Sequence, residues 1–538
     1  MTLPPDLSAA TFATALREFE GVVGPDWVFS KDEDVALYDD SYTPFFGEPE
    51  LQRKASAAVA PSSVEQVQQI VRIANKYKIP LYAISTGRNL GYGGSAPTLT
   101  GSVIVDLKRM NRVLEVNEAE AYMVVEPGAS FMDVYAQLES IDHRLMISPP
   151  EPGWGSPIGN ALDHGVGGVA GDNFSMVVGL EVVLPTGELM RTGMGAAPTS
   201  RLWQNYRYGF GPYIDGIFSQ SNFGIVTKAG FSLVRQPEMQ GSFAVSSYRN
   251  EDLHRMIEIA QRLRDLGVVF TTTANSPIRS ANNHSDGGTS RNIAEVRTLL
   301  HRPDGGADSA WEALAREQKI PIGVVTGSAR GPRRMVEAAM EQAREEFSAI
   351  QGAEFRVMPP LSFPVKKEDI DDEQRSFIGI PNLWAFSRMA IQGTSKGHYY
   401  FSPVIKATAE DMFAANAVVR DILLKAGDDD LTDRFGWRGG LGSYNKSFVM
   451  LYEFLITEDV ALNRRRRDIF KQLVEACGAH GWCEYRTPPA FQDLVMEQYS
   501  FNNHALRRFH ETVKDAIDPN GILAPGKSGI WPKRLRKA

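Results

Sequence analysis

Apolar residues recur along the first hundred positions with the period of a helix and then with that of a strand. After Pro61, the pair Ser62 and Glu65 fits a capping box, which predicts that a helix starts there. The apolar positions that follow share one helical face: Val64, Val67, Ile70, Val71 and Ala74. The next apolar run, Leu81–Ser85, is short and continuous, as in a buried strand.

Further along, the same patterns predict both element types without an internal repeat. Strand patterns lie at 102–107, 122–126 and 224–234, a hairpin pattern at 176–193, and a helical pattern at 131–138. After Gly241 amphipathic helices, such as 253–263, alternate with strands, such as 323–326, which indicates a second lobe. A helical pattern at 502–516 is broken by the turn sequence 518–521. We therefore predict an α+β fold.

Composition and charge exclude several classes of protein. The 538 residues are 43% hydrophobic and 23% charged, as in an ordinary globular protein. With 57 Lys and Arg against 65 Asp and Glu, the net charge is −8, which favours no nucleic-acid partner. We find neither a signal-peptide pattern nor an apolar stretch of membrane-spanning length, so we expect a cytoplasmic protein without a membrane partner.

Cysteine and histidine spacing gives no sign of a metal site. Cys477 and Cys483 are the only cysteines, too few for a disulfide framework or a four-ligand zinc site. The nine histidines do not pair at metal-ligand spacing. We therefore predict no bound metal.

A glycine-rich segment follows the predicted strand at 81–85. Its nine residues, 86–94, include four glycines and show no apolar period. Successive backbone N–H groups in such a loop can form an anion-binding nest suited to a diphosphate, and Arg88 adds a positive charge. The dinucleotide fingerprint also fits from Gly91 to Ala96, but Pro97 follows where a helix should begin. A glycine-rich surface turn remains the alternative.

A second phosphate-binding pattern is better explained as coincidence. Residues 521–528 fit the eight-residue loop of nucleotide triphosphatases, ending in Gly526, Lys527 and Ser528. That loop must follow a buried strand and open a helix, whereas here a turn precedes it and Pro532 follows it. We reject a triphosphatase, although the positively charged side chain of Lys527 could still point into a binding site.

Three other places carry residues with chemical potential. His398 lies in a strand-like segment, where a single histidine is more often structural than catalytic. Tyr485 and Arg486 could together bind an anion or could belong to a surface strand. Glu151 lies among three prolines, in a rigid loop that could hold a carboxylate away from water.

Together these segments resemble the flavin-dependent vanillyl-alcohol oxidase and para-cresol methylhydroxylase family, and within it the eugenol oxidases. The resemblance covers nearly the whole chain, and so many ordered matches exclude chance. The matching segments are Ser85–Gly94, Gly153–Asn160, Gly179–Leu184, Arg191–Gly195, Tyr208–Pro212, Phe218–Asn222, Gly224–Thr227, Gly397–His398, Phe401–Pro403, Glu484–Thr487 and Pro525–Trp531.

The resemblance implies an FAD enzyme of two lobes. Residues 1–237 would form an FAD-binding domain of two α+β subdomains, 238–499 an α+β cap over the flavin ring, and 500–538 a segment that returns to the FAD domain. His398 matches the position that carries a covalent bond to the flavin. The implied cofactor-binding residues are Thr86, Gly87, Arg88, Asn89, Leu90, Gly91, Gly155, Ser156, Asn160, Gly224, Ile225, Val226, His398, Arg486 and Lys527.

The implied reaction is oxidation of a para-substituted phenol of the eugenol, vanillyl alcohol or 4-alkylphenol type. Tyr92, Tyr485 and Arg486 match the family's phenolate-binding trio, and Glu151 matches its carboxylate near flavin N5. Hydride would pass from the benzylic carbon to N5 through a para-quinone methide. Reduced flavin would then pass its electrons to O2, giving hydrogen peroxide.

Departures from the family bear on the substrate side. Glu151 stands where the oxidases usually carry aspartate, and residues 165–173 lack the family's Tyr-Thr-Pro-Tyr, with Asn173 replacing a histidine. Pro488 and Pro489 follow Thr487 where relatives have a histidine. Two alternatives stay open: a dehydrogenase of the same fold that uses a cytochrome, and a flavin-binding protein without turnover. The short segment 195–208 suggests a homodimer.

Overall fold

Two sheets build the first lobe, and the glycine-rich segment leaves the edge of one of them. The computed structural model describes residues 2–141, 143–279, 293–386, 396–435, 440–444 and 446–536. A four-stranded sheet has the order Val28–Phe29, Ala57–Val59, Val103–Asp106 and Leu81–Ile84, the last two pairs being parallel. Helices Ala9–Val23 and Val64–Tyr77 share a hydrophobic core with it.

The second sheet of this lobe is antiparallel and has five strands. Their order is Leu189–Arg191, Val177–Val183, Ile225–Ser232, Tyr122–Val125 and Val113–Asn117. Helices Phe131–Ser140 and Pro157–Leu162 belong to its core, as do Val513, Ile517 and Ile530 from the end of the chain. The predicted hairpin at 176–193 is thereby confirmed as the pairing of Val177–Val183 with Leu189–Arg191.

The second lobe is built on an eight-stranded sheet. Its strands are Glu354–Val357, Met239–Ser247, Gly323–Gly331, Thr271–Asn275, Gly440–Tyr444, Ser447–Val449 and Val404–Lys406 in order, with Leu361–Ser362 paired beside Met239–Ser247. Alternate residues of Gly323–Gly331 are buried, because successive side chains of a strand point to opposite faces. The predicted α+β class is confirmed.

Helices cover the second sheet and extend to the end of the chain. The longer ones share its core: Asn250–Asp265, Arg333–Ser348, Ala409–Ala426 and Val460–Ala479. The other α-helices among the described residues are Asp32–Val35, Ile293–Leu300, Asp308–Gln318, Asp372–Arg375, Asp429–Phe435, Gln492–Gln498 and Phe501–Ile517. Within the described residues, no helix is both long and apolar enough to span a membrane.

Two predicted helix boundaries are corrected. Ser63, and not Ser62, caps Val64–Tyr77, because the Ser63 hydroxyl accepts the Gln66 N–H, while Ser62 contacts the Gln66 side chain. The predicted buried face of this helix is confirmed. The terminal helix begins irregularly, since 502–504 adopt left-handed backbone angles. A regular helix therefore starts only after these residues.

Two paired strands of the second lobe, which is called the cap below, carry a histidine that belongs to the site. His398–Phe401 pairs antiparallel with Tyr452–Leu455. Tyr399 and Phe401 lie in the aromatic core of the cap, so the alternation of a strand leaves His398 and Tyr400 on the opposite face. The two rings contact each other, with centroids 4.6 Å apart. Packing of the core side thus fixes how His398 is presented.

Candidate active site

A cavity of about 350 Å³ lies where the first lobe, the cap and the end of the chain meet. Its lining includes all but one of the predicted cofactor-binding residues: Thr86, Gly87, Arg88, Asn89, Leu90, Gly155, Ser156, Asn160, Gly224, Ile225, Val226, His398, Arg486 and Lys527. Gly91 is the exception, yet a side chain there would come within 3.2 Å of the His398 ring. Sequence segments far apart therefore converge here.

The four predicted catalytic residues lie together around this cavity. Tyr92, Glu151 and Arg486 are among the lining residues. Tyr485 is outside that set within the described part of the chain, but its ring centroid lies 5.8 Å from the Arg486 guanidinium carbon. The Tyr485 carbonyl accepts a hydrogen bond from Gln220 at 2.7 Å.

The glycine-rich loop needs its glycines for both backbone angle and space. Gly87 and Gly91 have φ values of 67° and 80°, which side chains other than glycine's rarely tolerate. An added Cβ at Gly87 would lie 2.3 Å from the Ser95 hydroxyl oxygen. Among the described residues, the backbone N–H groups from Thr86 to Gly91 donate to no protein acceptor. Such donors are what the predicted anion nest requires.

The residues present fit a cofactor that carries a diphosphate. The backbone donors from Thr86 to Leu90 line the same cavity as Arg88 and Lys527, so both dipoles and full positive charges are available to an anion. Arg88 also stacks on Trp154, with its guanidinium carbon 4.6 Å from the ring centroid. At Gly155 an added Cβ would meet no atom within 4 Å, which leaves open space along the cavity wall.

Arg486 is held against two tyrosines. Its guanidinium carbon lies 4.1 Å from the Tyr92 ring centroid, and the Tyr92 hydroxyl lies 3.3 Å from the Ser402 hydroxyl. Burial raises the pKa of Tyr92 well above its ordinary value, so the hydroxyl stays protonated and can donate. Burial opposes the charge on Arg486, but the Asp163 carboxylate and the two tyrosines, Tyr485 and Tyr92, together outweigh it and keep the Arg486 pKa above normal.

Asp163 is a site residue that the sequence did not reveal. Its carboxylate contacts Arg486 at 3.0 Å and Lys527 at 3.2 Å, and the Asn89 amide donates to it at 3.1 Å. Burial alone would raise the Asp163 pKa, but Lys527 and Arg486 lower it to about 2. Two cations and one carboxylate leave one positive charge in excess. This cluster can therefore neutralise one further anion.

Glu151 is oriented by a serine from the cap. The Ser376 hydroxyl donates to Glu151 Oε1 at 3.0 Å, and Ser376 is almost completely buried. The altered segment 165–173 packs nearby, because a side chain on Gly168 would collide with the Ser376 carbonyl at 2.3 Å. A contact between residues 225 positions apart cannot be read from local sequence.

The other departures also lie close to predicted site residues. The Asn173 amide donates to the Asn160 side chain at 2.7 Å and to the Ser148 carbonyl at 2.9 Å. Pro489 packs on the glycine-rich loop, where a Cβ on Gly93 would lie 2.5 Å from its ring. Asn173 thus contacts a residue that lines the cavity, and Pro489 contacts the glycine-rich loop beside it.

Comparisons with known proteins agree with this geometry. Residues 55–193 match a family model described as FAD binding domain. The chain is 31% identical over 536 residues to the 4-cresol dehydrogenase [hydroxylating] flavoprotein subunit of Pseudomonas putida, covering 98% of this chain and 97% of that one. It is also 39% identical over 520 residues to 1'-carboxy-chondrochloren decarboxylase of Chondromyces crocatus, covering 88% and 91%.

Solved structures give the same result. The 4-ethylphenol oxidase from Gulosibacter chungangensis, in complex with isoeugenol, superposes with a TM-score of 0.83 at 36% identity and covers 99% of this chain and 100% of its own. Substrate-bound p-cresol methylhydroxylase also has a TM-score of 0.83, at 27% identity, with 99% of each chain covered. The likeness therefore extends over both lobes.

Proposed function

This chain belongs to the vanillyl-alcohol oxidase and para-cresol methylhydroxylase family of FAD-linked oxidoreductases, and we propose that it is a covalent flavoprotein oxidase of para-substituted phenols. FAD-dependent oxidation of phenols of the p-cresol and 4-ethylphenol type is the part of this function that the relatives carry. The covalent bond at His398, O2 as the acceptor and the assembly as a homodimer are the parts that we add.

The observation that carries the proposal is the positively charged guanidinium of Arg486 beside two tyrosines. A free phenol has a pKa near 10, so ionising it at pH 7 requires about three pKa units, or about 4 kcal/mol. Arg486, between Tyr92 and Tyr485, supplies the charge and the donors for a phenolate oxygen. Asp163 helps to keep Arg486 charged.

Binding as a phenolate prepares the substrate for hydride loss. Its oxygen returns electron density through the ring as hydride leaves the para benzylic carbon, so the substrate becomes a para-quinone methide. FAD bound in the cavity would supply the hydride acceptor. Residues of the glycine-rich loop from Thr86 to Leu90, with Lys527, would hold the cofactor by its anionic groups.

Glu151 completes the reaction as a base. Its carboxylate takes a proton from the water that attacks the quinone methide, and Ser376 keeps it in place. A longer side chain can instead lose a proton, which gives a double bond. FAD would also carry the two electrons on to O2, which would give hydrogen peroxide.

The test is anaerobic reduction of the bound flavin by matched phenols. 4-Ethylphenol and 4-hydroxybenzyl alcohols should bleach the flavin absorbance, while the O-methyl ethers should not, because they cannot ionise. Bleaching by the ethers at rates close to those of the free phenols would contradict the phenolate mechanism. An oxidised spectrum with every phenol would indicate a flavin-binding protein without turnover.

A dehydrogenase is the second candidate. The Pseudomonas putida relative is named as a dehydrogenase, and this chain matches nearly its full length. Stopped-flow reoxidation distinguishes the two. An oxidase should be reoxidised by O2 faster than it turns over, with one peroxide per product. A dehydrogenase should react slowly with O2 and rapidly with cytochrome c or an artificial dye.

A further inference from the structure

A buried glutamate of the cap lies beside His398. Glu453 is directly opposite Tyr400 in the antiparallel pair, and His398 is opposite Leu455. Side chains on one face alternate by two residues, so Glu453, Tyr400 and His398 share the face turned away from the aromatic core. The Glu453 Oε1 atom lies 3.4 Å from His398 Nδ1.

The surroundings leave the imidazole little freedom. Tyr42 and Tyr400 contact its ring at centroid distances of 5.1 and 4.6 Å, both with steep interplanar angles. The Cδ2 edge, next to Nε2, faces Gly91, where a Cβ would lie 3.2 Å from Cδ2. Nδ1 therefore lies on the Glu453 side, in contact but without a hydrogen bond to it, and the Nε2 side is directed to the glycine-rich loop.

Glu453 has no evident structural need for its charge. Its side chain is 12% exposed, and among the described residues its one ion-pair contact is His398. A carboxylate buried without a lysine or arginine is costly, and a hydrophobic residue would suit this strand better. Burial raises the pKa of Tyr42, and the negative charge of Glu453 raises it further, so the hydroxyl stays protonated rather than competing as an anion.

We propose that Glu453 is a positioning residue that holds His398 with a proton on Nδ1 and a lone pair on Nε2, and that accepts the Nδ1 proton as His398 bonds to the flavin. The inference rests on the proposed covalent attachment at His398. A histidine ring bearing its proton on the nitrogen that faces a carboxylate is the usual way in which a protein selects one tautomer. The 3.4 Å separation tightens as positive charge develops on the ring.

The bond-forming step conserves atoms and electrons. A bond forms between Nε2 and a methyl carbon of the flavin ring, and a C–H bond of that methyl group breaks. One proton leaves the methyl group for water, and a second leaves Nδ1 for Glu453. The two electrons enter the flavin itself, and O2, or a quinone added in its place, removes them to restore the oxidised cofactor.

The experiment follows covalent incorporation of FAD into apoprotein made in riboflavin-depleted cells. Wild type, Glu453→Gln, Glu453→Asp and Glu458→Gln are mixed with FAD, and samples are precipitated with acid over time. Flavin fluorescence of the denatured chain on a gel gives the covalent fraction, and quenching of free FAD gives the dissociation constant. Glu458 is the matched control, because it lies five positions along the chain on the exposed side, paired with Lys396.

The expected result is a slower covalent step with unchanged reversible binding. Glu453→Gln should incorporate FAD about 100-fold more slowly than wild type, because an amide orients the ring without accepting its proton. Glu453→Asp should recover most of that rate, and Glu458→Gln should equal wild type. A purely structural role would instead raise the FAD dissociation constant of Glu453→Gln and leave the first-order rate of covalent incorporation unchanged.

The outcomes separate this inference from the proposal beneath it. Equal rates in wild type and Glu453→Gln would overturn the role of Glu453 and leave covalent attachment in place. A wild-type chain that releases all its flavin into the acid supernatant would overturn both. If Glu453→Gln does not fold, Glu453→Asp gives the test. His398→Ala cannot form the covalent bond, and an equally inactive Glu453→Asp would overturn the role of Glu453.

Discussion

At the scale of single residues, Arg486 has the largest expected effect on turnover. Arg486→Ala removes the charged donor from a shielded site, so we expect roughly a thirtyfold or greater loss in kcat/KM, about 2 kcal/mol of transition-state stabilisation. Arg486→Lys should lose less, because it keeps the charge but not the planar fork. Steady-state kinetics with 4-ethylphenol measures both. Equal values for Arg486→Ala and wild type would show that another group binds the phenolate.

Glu151 offers a second residue-scale prediction, read from products. Glu151→Gln keeps the size and can still accept the Ser376 hydroxyl, but it has no basicity. Hydride transfer should slow, and the hydroxylated product should fall relative to the desaturated one, since attacking water needs a proton acceptor. Glu151→Asp should retain much of the activity. An unchanged product ratio in Glu151→Gln, by chromatography, would assign the base elsewhere.

Asp40 should make the apoprotein less stable as pH rises. Burial raises the Asp40 pKa to about 6 from its ordinary value of 3.8, so the folded chain holds a proton that the unfolded chain has lost between those values. Stability is then full below pH 4 and falls as pH rises to 6. Asp40→Asn should therefore stabilise the apoprotein at pH 7 by up to about 3 kcal/mol.

The same variant should behave like wild type at pH 4, where both side chains are neutral. The amide oxygen of the introduced asparagine can still accept the Tyr42 N–H, so the turn is kept. Denaturant unfolding at the two pH values is the measurement. A stabilisation of equal size at both pH values would show that the carboxylate's charge is not the cause.

At the scale of elements, a buried ion pair anchors the end of the chain beside the glycine-rich loop. Lys514 and Asp518 are completely buried at 2.8 Å, and Lys514 also donates to the Asn222 and Leu523 carbonyls. Leu523 in turn bridges to Leu81, the first residue of the strand that leads into the loop. The pair thus links the C-terminal segment to both sheets of the first lobe.

Breaking that pair should destabilise the protein strongly. Lys514→Met leaves the Asp518 carboxylate buried without its cation, which typically costs about 3 to 5 kcal/mol. The double variant Lys514→Met/Asp518→Asn should lose less than the single one, because no uncompensated charge remains. Lys471→Met, at an exposed pair with Asp468, is the control. The midpoint temperatures of thermal unfolding measure these stabilities. A double variant that is less stable than the single variant would contradict this account.

At the scale of the whole molecule, the cofactor should couple the two lobes. The cavity takes lining residues from the first lobe, from the cap at His398 and from the C-terminal segment at Lys527. In His398→Ala, where FAD is reversible, FAD at 100 times its dissociation constant should add about 2.7 kcal/mol of stability. Calorimetry should show both lobes unfolding at higher temperature. A shift confined to one of two transitions would mean that FAD contacts one lobe only.

Much of the architecture could be predicted because it depends on local pattern. The buried face of Val64–Tyr77, the hairpin of Val177–Val183 and the glycine-rich loop follow from periodicity and from glycine's freedom at positive φ. The start of the terminal helix was wrong, because residues 502–504 take left-handed angles that a helical pattern does not reveal. The type of each of these elements could be predicted from the sequence, but its exact first and last residues could not.

The sequence by itself determined the element types and the family, and it predicted the diphosphate nest and, through the family, the roles of the phenolate trio and His398. Only the tertiary structure decided what surrounds those groups. Asp163 meets Arg486 across 323 positions, and Ser376 meets Glu151 across 225. Glu453 reaches His398 only through the register of two strands. Charge and tautomer depend on such through-space contacts, because electrostatic energy is set by distance and burial and not by position along the chain.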